Sequence, residues 1–443
     1  MNKAVLVNKN NILKDCFYKH LELIEINNIK IEKETYEAYL KLKEYLKEIN
    51  IDIEIEKAFV SKEEELSEHN TGLSIDYKTN SSLNEEINKH IHKFGCILRY
   101  PNCKEEITGY PYTPNHIRYV GEVISKIIYE NNWTLEEYLE EFNGVIVVNK
   151  EKDMTSFDVV NEVSHLFGIK KVGHTGTLDP EATGVLPICI GKATKIIDYI
   201  MKEDKSYYVE FKLGIKTTTY DMEGEIILEK QTDEISGDDI KKAILSFVGE
   251  YDQIPPMYSA LKKNGVRLYE LARKGIEIER EARRINIIEI KDIKINNPDI
   301  SMVVSCSKGT YIRSLCFDIG EKLGVGATMT ELKRIKTSYF EEKDSINIDD
   351  INEENIGSYV ISIEKALSAY PYIKINKGYS KLLINGVRVA DKRFSSDSIE
   401  DGKLYRVYDE ENKFIGLGSK DKNGFKIEKL LIWLGAINND CFK

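Results

Sequence analysis

The chain lacks any apolar run approaching the length of a membrane-spanning helix. Its first residues, Met1 to Lys9, carry only a short apolar patch and lack the layout of a secretory signal. Cysteine is scarce. The seven residues, at positions 16, 96, 103, 189, 306, 316 and 441, are odd in number and widely spaced, with no C-x-x-C. This fits reduced thiols in a cytosol better than a disulfide framework or a cysteine zinc site. Internal repeats and low-complexity segments are also missing. What remains is an ordinary globular composition, 42% hydrophobic over 443 residues, with room for two or three domains.

The formal net charge is −11, an unpromising value for a nucleic-acid binder. The acidity is uneven. Residues 1–141 hold 18 Lys+Arg against 26 Asp+Glu, a net of −8, which leaves −3 for the rest. A near-neutral C-terminal region still has room for a basic face toward RNA. Lys262-Lys263, Arg283-Arg284 and Lys333-Arg334-Ile335-Lys336 are its candidates, each equally readable as a solvated patch.

Periodicity divides the chain into residues 1–141, 142–367 and 368–443. The first part opens with a helical pattern over Ile31–Ile49 and an alternating strand from Ile51 to Glu56. Helices near Gly121–Tyr129 and after the capping residue Thr134 follow. The second part reads as a strand at Val145–Val148, a helix over Ser156–Phe167, a glycine-rich loop and a helix near Ala193–Met201. Beyond it come a strand over Tyr207–Leu213, a helix over Asp238–Val248, strands over Ile285–Ile295 and Ile300–Cys306, and a helix over Thr310–Leu323. Strands and helices mixed without regular alternation predict an α+β domain with a mixed sheet. The last part has four short strand-like runs and an Asn385-Gly386 turn suited to a hairpin.

The segment with most chemistry is Gly173 to Gly191, G-H-T-G-T-L-D-P-E-A-T-G-V-L-P-I-C-I-G. Its glycines permit backbone geometry closed to other residues and close approach of a ligand. Pro180 pushes Asp179 out of the helical region, so a carboxylate is displayed from a stiff loop among apolar neighbours. Taken alone, such an Asp also fits the capping of a turn.

The whole stretch resembles the catalytic motif of the tRNA pseudouridine synthase B family, and the resemblance runs from about Gly144 to the C-terminus. Pseudouridine formation breaks the uridine N1–C1′ bond, turns the base and joins C5 to C1′. No redox change occurs, so no cofactor is implied. The resemblance makes Asp179 the nucleophile and puts His174 beside the flipped base. Tyr207, in Lys205-Ser206-Tyr207, stacks on that base. In Ser307-Lys-Gly-Thr-Tyr-Ile-Arg-Ser, Arg313 pairs with Asp179 and fixes its direction, and Tyr311 lines the pocket. Leu332 is an apolar pocket residue. Pro255-Pro256-Met-Tyr-Ser-Ala-Leu-Lys and Gly265-Val-Arg-Leu-Tyr-Glu-Leu-Ala-Arg match a further signature that shapes the RNA cleft. The C-terminal part resembles the small β-barrel RNA-binding domain called PUA. One departure stands out: the family's Lys-Pro-x-Gly-x-Thr-Ser is here Lys150-Glu-Lys-Asp153-Met-Thr-Ser156.

The N-terminal third has a separate resemblance, to D-alanyl-D-alanine carboxypeptidases of the VanY type, α+β zinc peptidases. It rests on Ser67-Glu-His69-Asn-Thr-Gly72-Leu-Ser-Ile-Asp76, Phe94-Gly95-x-x-Leu98-Arg99-Tyr100-Pro101, Thr108-Gly109-Tyr110 and Pro114-Asn115-His116-x-Arg118-Tyr119-Val120-Gly121. In such enzymes His69, Asp76 and His116 would hold zinc and leave a water position open. The family's general-base Glu is replaced by Thr113, its tryptophan by Asn115, and its transition-state Arg by Val60. A degenerate peptidase is expected, with zinc in this domain as the one metal implied.

The resulting expectation is a cytoplasmic, monomeric enzyme that isomerises uridine 55 in the T stem-loop of tRNA, with no membrane contact. The rivals are a zinc D,D-carboxypeptidase in the N-terminal domain and a tRNA-binding chaperone.

Overall fold

The computed structural model describes residue 7 and residues 21–431, apart from 62–66, 260, 264, 353–354, 391 and 395–397. The N-terminal patch at 1–6, Cys16, Cys441, Ala260 and the side chains of Lys262 and Lys263 lie outside that description.

In the N-terminal part the helix Lys33–Glu48 packs on a four-stranded antiparallel sheet ordered Glu54–Lys57, Ser74–Lys78, His116–Tyr119, Cys96–Leu98. Tyr39, Leu42 and Leu46 recur on one helical face and meet Ile53, Ile75, Tyr77 and Ile117. Beside this core lies a buried ionic knot. Arg99 makes a two-pronged contact with Glu136 at 2.9 and 2.7 Å, and Glu68 accepts from Arg99 at 3.3 Å and from Arg118 at 2.6 Å. Guanidiniums taken out of water need such partners. Because Glu136 lies on the next helix, Leu135–Glu141, the knot also fixes the exit of the chain. That helix starts as its sequence predicts, Thr134 and Glu137 capping each other reciprocally.

The expected boundary at 141/142 is bridged by packing. One hydrophobic cluster joins Ile97, Ile124, Tyr138 and Phe142 to Phe167, Leu186 and Ile188. The Tyr138 hydroxyl donates to the Phe167 carbonyl at 3.0 Å.

The middle of the chain is built on a ten-stranded sheet. Its main order is Gly249–Gln253, Arg283–Asn296, Asp299–Cys306, Lys205–Leu213, Ala327–Thr337, Thr183–Ile190, Gly144–Lys150, Ile361–Ser362. Pairing is antiparallel except where Lys333 and Arg334 run parallel to Thr183 and Gly184. The helix Ile312–Lys322 packs its buried face, including Leu315 and Ile319, against this sheet. Sheet and helices together confirm a mixed α+β fold.

Two expectations are corrected here. The 173–191 segment is a loop only from 175 to 182. Its flanks are the strands Val172–His174 and Thr183–Ile190, the latter central to the sheet. Gly184 is required there: at φ 100°, a Cβ would lie 2.3 Å from the Arg334 carbonyl oxygen. Asn385-Gly386 is not a hairpin turn. It ends the helix Lys377–Ile384, with Gly386 N–H bonded to Leu383 O and Val387 N–H to Leu382 O, the pairing of a left-handed helix cap.

The C-terminal strands Tyr372–Lys374, Leu404–Tyr408, Phe414–Asp421 and Gly424–Leu430 form one four-stranded sheet around Ile373, Leu383, Val407, Ile415 and Phe425. No closed barrel is present among the described residues. Leu417 and Leu431 join this unit to the back of the main sheet at Val145, Val185 and Phe340.

Candidate active site

Asp179 projects from the 175–182 loop with its side chain 42% exposed. Its Oδ2 lies 2.9 Å from Arg313 Nη2. Arg313 sits in the first turn of the helix Ile312–Lys322, almost fully buried. Three other contacts fix it, the first to Asp221 Oδ2, 3.2 Å from Nη1, and the others to the carbonyls of Thr219 and Tyr258. Nη1 bonds the Thr219 carbonyl at 3.3 Å and Nη2 the Tyr258 carbonyl at 2.8 Å. One rigid cation is thus held between two carboxylates, and the more exposed of them faces the cleft.

The loop carrying Asp179 is tied from below. Lys150 Nζ, fully buried, donates to the carbonyls of Glu151, Met154 and Pro180 at 2.7, 2.6 and 3.0 Å. Burial brings its ammonium down to about 8. The neighbouring Asp153, where the resembling family has Gly, takes φ 66° and donates its N–H to Pro180 O at 3.1 Å. Asp tolerates that left-handed conformation better than most residues, so the turn survives the substitution. Ser156 bonds Leu178 in both directions, at 2.8 and 3.1 Å.

Asp179, Tyr207, Tyr311, Arg313 and Leu332 line one cleft of about 760 Å³. Lys205 and Tyr207 are two apart on a strand of strict alternation, so both face inward. Burial pushes the Tyr207 phenol up to about 12, against the pull of Arg334. Tyr311 caps the helix of Arg313, and Gln253 clamps it there, accepting its N–H at 2.8 Å and donating to its carbonyl at 3.0 Å. Burial raises its phenol too. His174 is not on the wall of the cleft. Its Nδ1 accepts the Gly176 N–H at 3.3 Å, and burial followed by Arg334 lowers its pKa, which favours the neutral ring.

These parts meet the requirements of base isomerisation, and comparison with known proteins decides the family. A family model described as TruB family pseudouridylate synthase (N terminal domain) matches residues 164–312, and one described as tRNA pseudouridylate synthase B C-terminal domain matches 313–368. The chain is 60% identical over 291 residues to tRNA pseudouridine synthase B of Clostridium perfringens, 66% of this chain and 99% of that protein. It is 58% identical to the Clostridium tetani protein of the same name, covering 66% of this chain and 100% of the relative. The chain belongs to the tRNA pseudouridine synthase B family. It is a tRNA pseudouridine synthase, an isomerase. A solved Cbf5-Nop10-Gar1 complex shares its fold, at 26% identity and a TM-score of 0.54, over 66% of this chain and 87% of that one.

A second family model, D-alanyl-D-alanine carboxypeptidase, matches residues 33–122, so the synthase is fused to a carboxypeptidase-like domain. There one ligand atom each from His69, Asp76 and His116 lie within 4.8 Å of one another. His69 Nε2 is 3.0 Å and His116 Nδ1 2.5 Å from the Asp76 oxygens. Burial opposes the charge on Asp76, but the hydrogen bonds from His116 and His69 outweigh it and hold the carboxyl well below its usual range. Two imidazoles and a carboxylate converging in this way fit the donor set of a zinc site. The place of the general base does not fit hydrolysis: the Thr113 hydroxyl donates to Pro111 O at 3.1 Å, and the Asn115 amide to Tyr77 O at 3.0 Å. Tyr100 stacks on His116 with centroids 5.0 Å apart, and Tyr110 stacks on Tyr100 at 4.8 Å.

Several functional contacts escape a reading of the sequence. Asp221 has no local signature; only the fold brings it to Arg313. Arg334, offered as a member of a basic surface cluster, is 1% exposed, while Lys333 and Lys336 pair with Glu342 and Glu341. Alternation along Ala327–Thr337 was the available signal, placing Leu332 and Arg334 on the same inward face. Of the remaining cluster, Arg283 and Arg284 both line the cleft, and Arg284 is paired with Glu250 and Asp252.

Proposed function

We propose that the chain converts uridine 55 in the T stem-loop of tRNA to pseudouridine, with Asp179 as nucleophile. The observation that carries this reading is the Asp179–Arg313 pair at the mouth of a cleft shared with Tyr207, Tyr311 and Leu332. Uridine is turned out of its stack into the cleft. Asp179 attacks C1′ as the N1–C1′ bond breaks, and the electron pair leaves with the base. The uracil turns, C5 bonds to C1′ and the carboxylate is released. The C5 proton is lost and N1 gains one, so the change is isomeric and redox-neutral. Tyr207 stacks on the ring, Tyr311 and Leu332 bound it, and His174 shapes the loop through Gly176. Arg313 aims Asp179 and carries its counter-charge.

In this reading three units cooperate: residues 1–141, the catalytic 142–367 and a PUA-like 368–443 that grips RNA. The protein acts as a cytoplasmic monomer. His69, Asp76 and His116 would hold zinc, which when bound supplies an activated water. With Thr113 in the base position this domain serves structure or partner binding rather than peptide hydrolysis.

The test is incubation with an unmodified tRNA transcript, followed by mapping of pseudouridine, beside Asp179→Asn. Product at the T-arm uridine from the wild type and none from the variant is expected. No product from the wild type, or equal product from both, refutes the reading.

A further inference from the structure

Two cations in the catalytic cleft have no anion. Arg334 is 1% exposed; its Nε donates to the Val185 carbonyl at 2.7 Å and its Nη2 to the Gly176 carbonyl at 3.1 Å, and its guanidinium stands against the Tyr207 hydroxyl. Lys205 is 9% exposed, its Nζ donating to the carbonyls of Met201 and Glu203 at 3.1 and 2.8 Å. Neither has a carboxylate within ion-pair distance among the described residues. The two are close neighbours: a Cβ on Gly176 would meet Arg334 Nη1 at 3.4 Å and Lys205 Cε at 3.8 Å.

The other deeply buried guanidiniums behave differently. Arg99 has Glu68 and Glu136, Arg118 has Glu68, and Arg313 has Asp179 and Asp221. Buried charges without partners are costly and persist where function requires them. Arg334 and Lys205 both line the cleft with Asp179. Their missing anion therefore belongs to what enters.

A backbone phosphate is the poorer match, since Arg334 is sealed from solvent and borders the cleft at the Tyr207 hydroxyl. A base stacked on Tyr207 reaches it. We infer that Arg334 and Lys205 form a cationic floor under Tyr207 that stabilises the negative charge left on the uracil ring when the N1–C1′ bond breaks. Arg334 is a positioning residue acting across Tyr207, and Lys205 acts from the cleft wall. The inference rests on the reading of Asp179 as nucleophile. As C1′ bonds to the Asp179 oxygen, the N1–C1′ pair stays on the ring as a uracil anion. The Tyr207 ring lies between the base and Arg334, and burial keeps its phenol protonated, so the guanidinium's charge is not cancelled there. Attack of C5 on C1′ returns the carboxylate, and the floor is again without an anion, as in the empty cleft.

The test compares two substrates in single turnover, with full-length protein. One is a T-arm RNA with uridine at the target. The other carries 5-fluorouridine there, whose more acidic base leaves more readily. The readout is cleavage of the original N-glycosidic bond. For Arg334→Gln we expect a loss of ~100-fold on uridine and under ~10-fold on 5-fluorouridine, with RNA affinity unchanged, and for Arg334→Lys, which keeps the charge, a clearly smaller loss on uridine. Lys205→Met should show the same selectivity with a smaller loss, and it decides the matter if thermal melting shows the Arg334 variants unfolded. Equal losses on both substrates, or weakened RNA binding with an unchanged rate ratio, would overturn the inference in favour of packing or a phosphate contact. A wild type inactive on both RNAs would instead refute the nucleophile assignment beneath it.

Discussion

The two polar sites of this chain were inherited from different families and differ in what they retain. In the synthase cleft the Asp179 carboxylate is 42% exposed, its cation has four partners, and Tyr207, Tyr311 and Leu332 line the same cavity. In the N-terminal domain the ligand triad still converges, but the base position holds Thr113, whose hydroxyl is spent on a carbonyl, and stacked tyrosines cover His116. Convergent ligands are therefore weaker evidence of catalysis than a complete set of acid, base and counter-charge. The ionic knot of Arg99, Arg118, Glu68 and Glu136 shows what this domain keeps whatever its chemistry: its own framework and its attachment to the helix that leads into the synthase.

The contrast breaks first at Asp179. Asp179→Asn preserves size and the hydrogen bond to Arg313 but removes the proposed nucleophile, so pseudouridine formation should fall by ~10⁴-fold or more with RNA binding retained. A loss under tenfold in single turnover would mean that the two sites are equally vestigial. At the other end, purified protein supplied with zinc should bind about one equivalent, and His116→Ala should weaken that affinity by more than ~100-fold. The same zinc-loaded protein should release no D-alanine from a D-alanyl-D-alanine peptide. Turnover there would show that another group replaces the missing base. A smaller effect is expected at Asp221→Asn, which leaves Arg313 with one carboxylate and two carbonyls. Turnover should drop by ~10- to 100-fold with little change in KM, because Asp179 loses its aim and RNA contacts remain. Unchanged turnover would assign the positioning of Arg313 to Thr219 and Tyr258 alone.

Much of this was legible in the sequence where chemistry and local pattern coincide. Thr134 and Thr155 each precede a helix with an acid three residues on, and both form reciprocal caps. The alternation over Tyr207–Leu213 gave a strand, which the fold extends back to Lys205 and whose inward face carries Tyr207. Failures came where backbone context overrides composition. Thr183–Ile190 contains Gly184 and Pro187, residues that argue against a central strand. The sheet accepts them because Gly184 must lie against the Arg334 backbone and Pro187 still offers its carbonyl to Thr175 N–H at 3.1 Å. Lys333-Arg334-Ile335-Lys336 looks like one basic patch in one dimension, but a strand turns alternate residues to opposite faces, so one of its charges becomes interior. Asp221 illustrates the other limit: a residue 42 positions from Asp179 shares its cation only through the fold.

The smallest expected effect lies within the synthase cleft, in its response to pH. Lys205 is pulled down to about 8 by burial first and by Arg334 next, with Cys306, Asp204 and Glu203 pulling the other way. It is charged below that pH and neutral above it, so any contribution of its charge is present at pH 7 and lost as pH rises through about 8. Tyr207, at about 12, stays protonated throughout this window. The kcat/KM profile should therefore fall by ~10-fold on its alkaline side with a midpoint near 8. Lys150 also sits at about 8 and holds the Asp179 loop through Pro180, so it offers a rival source for the same limb. Lys205→Met separates them. A flat, lowered profile assigns the limb to the cation in the cleft, whereas a limb that persists belongs to the anchor beneath the loop.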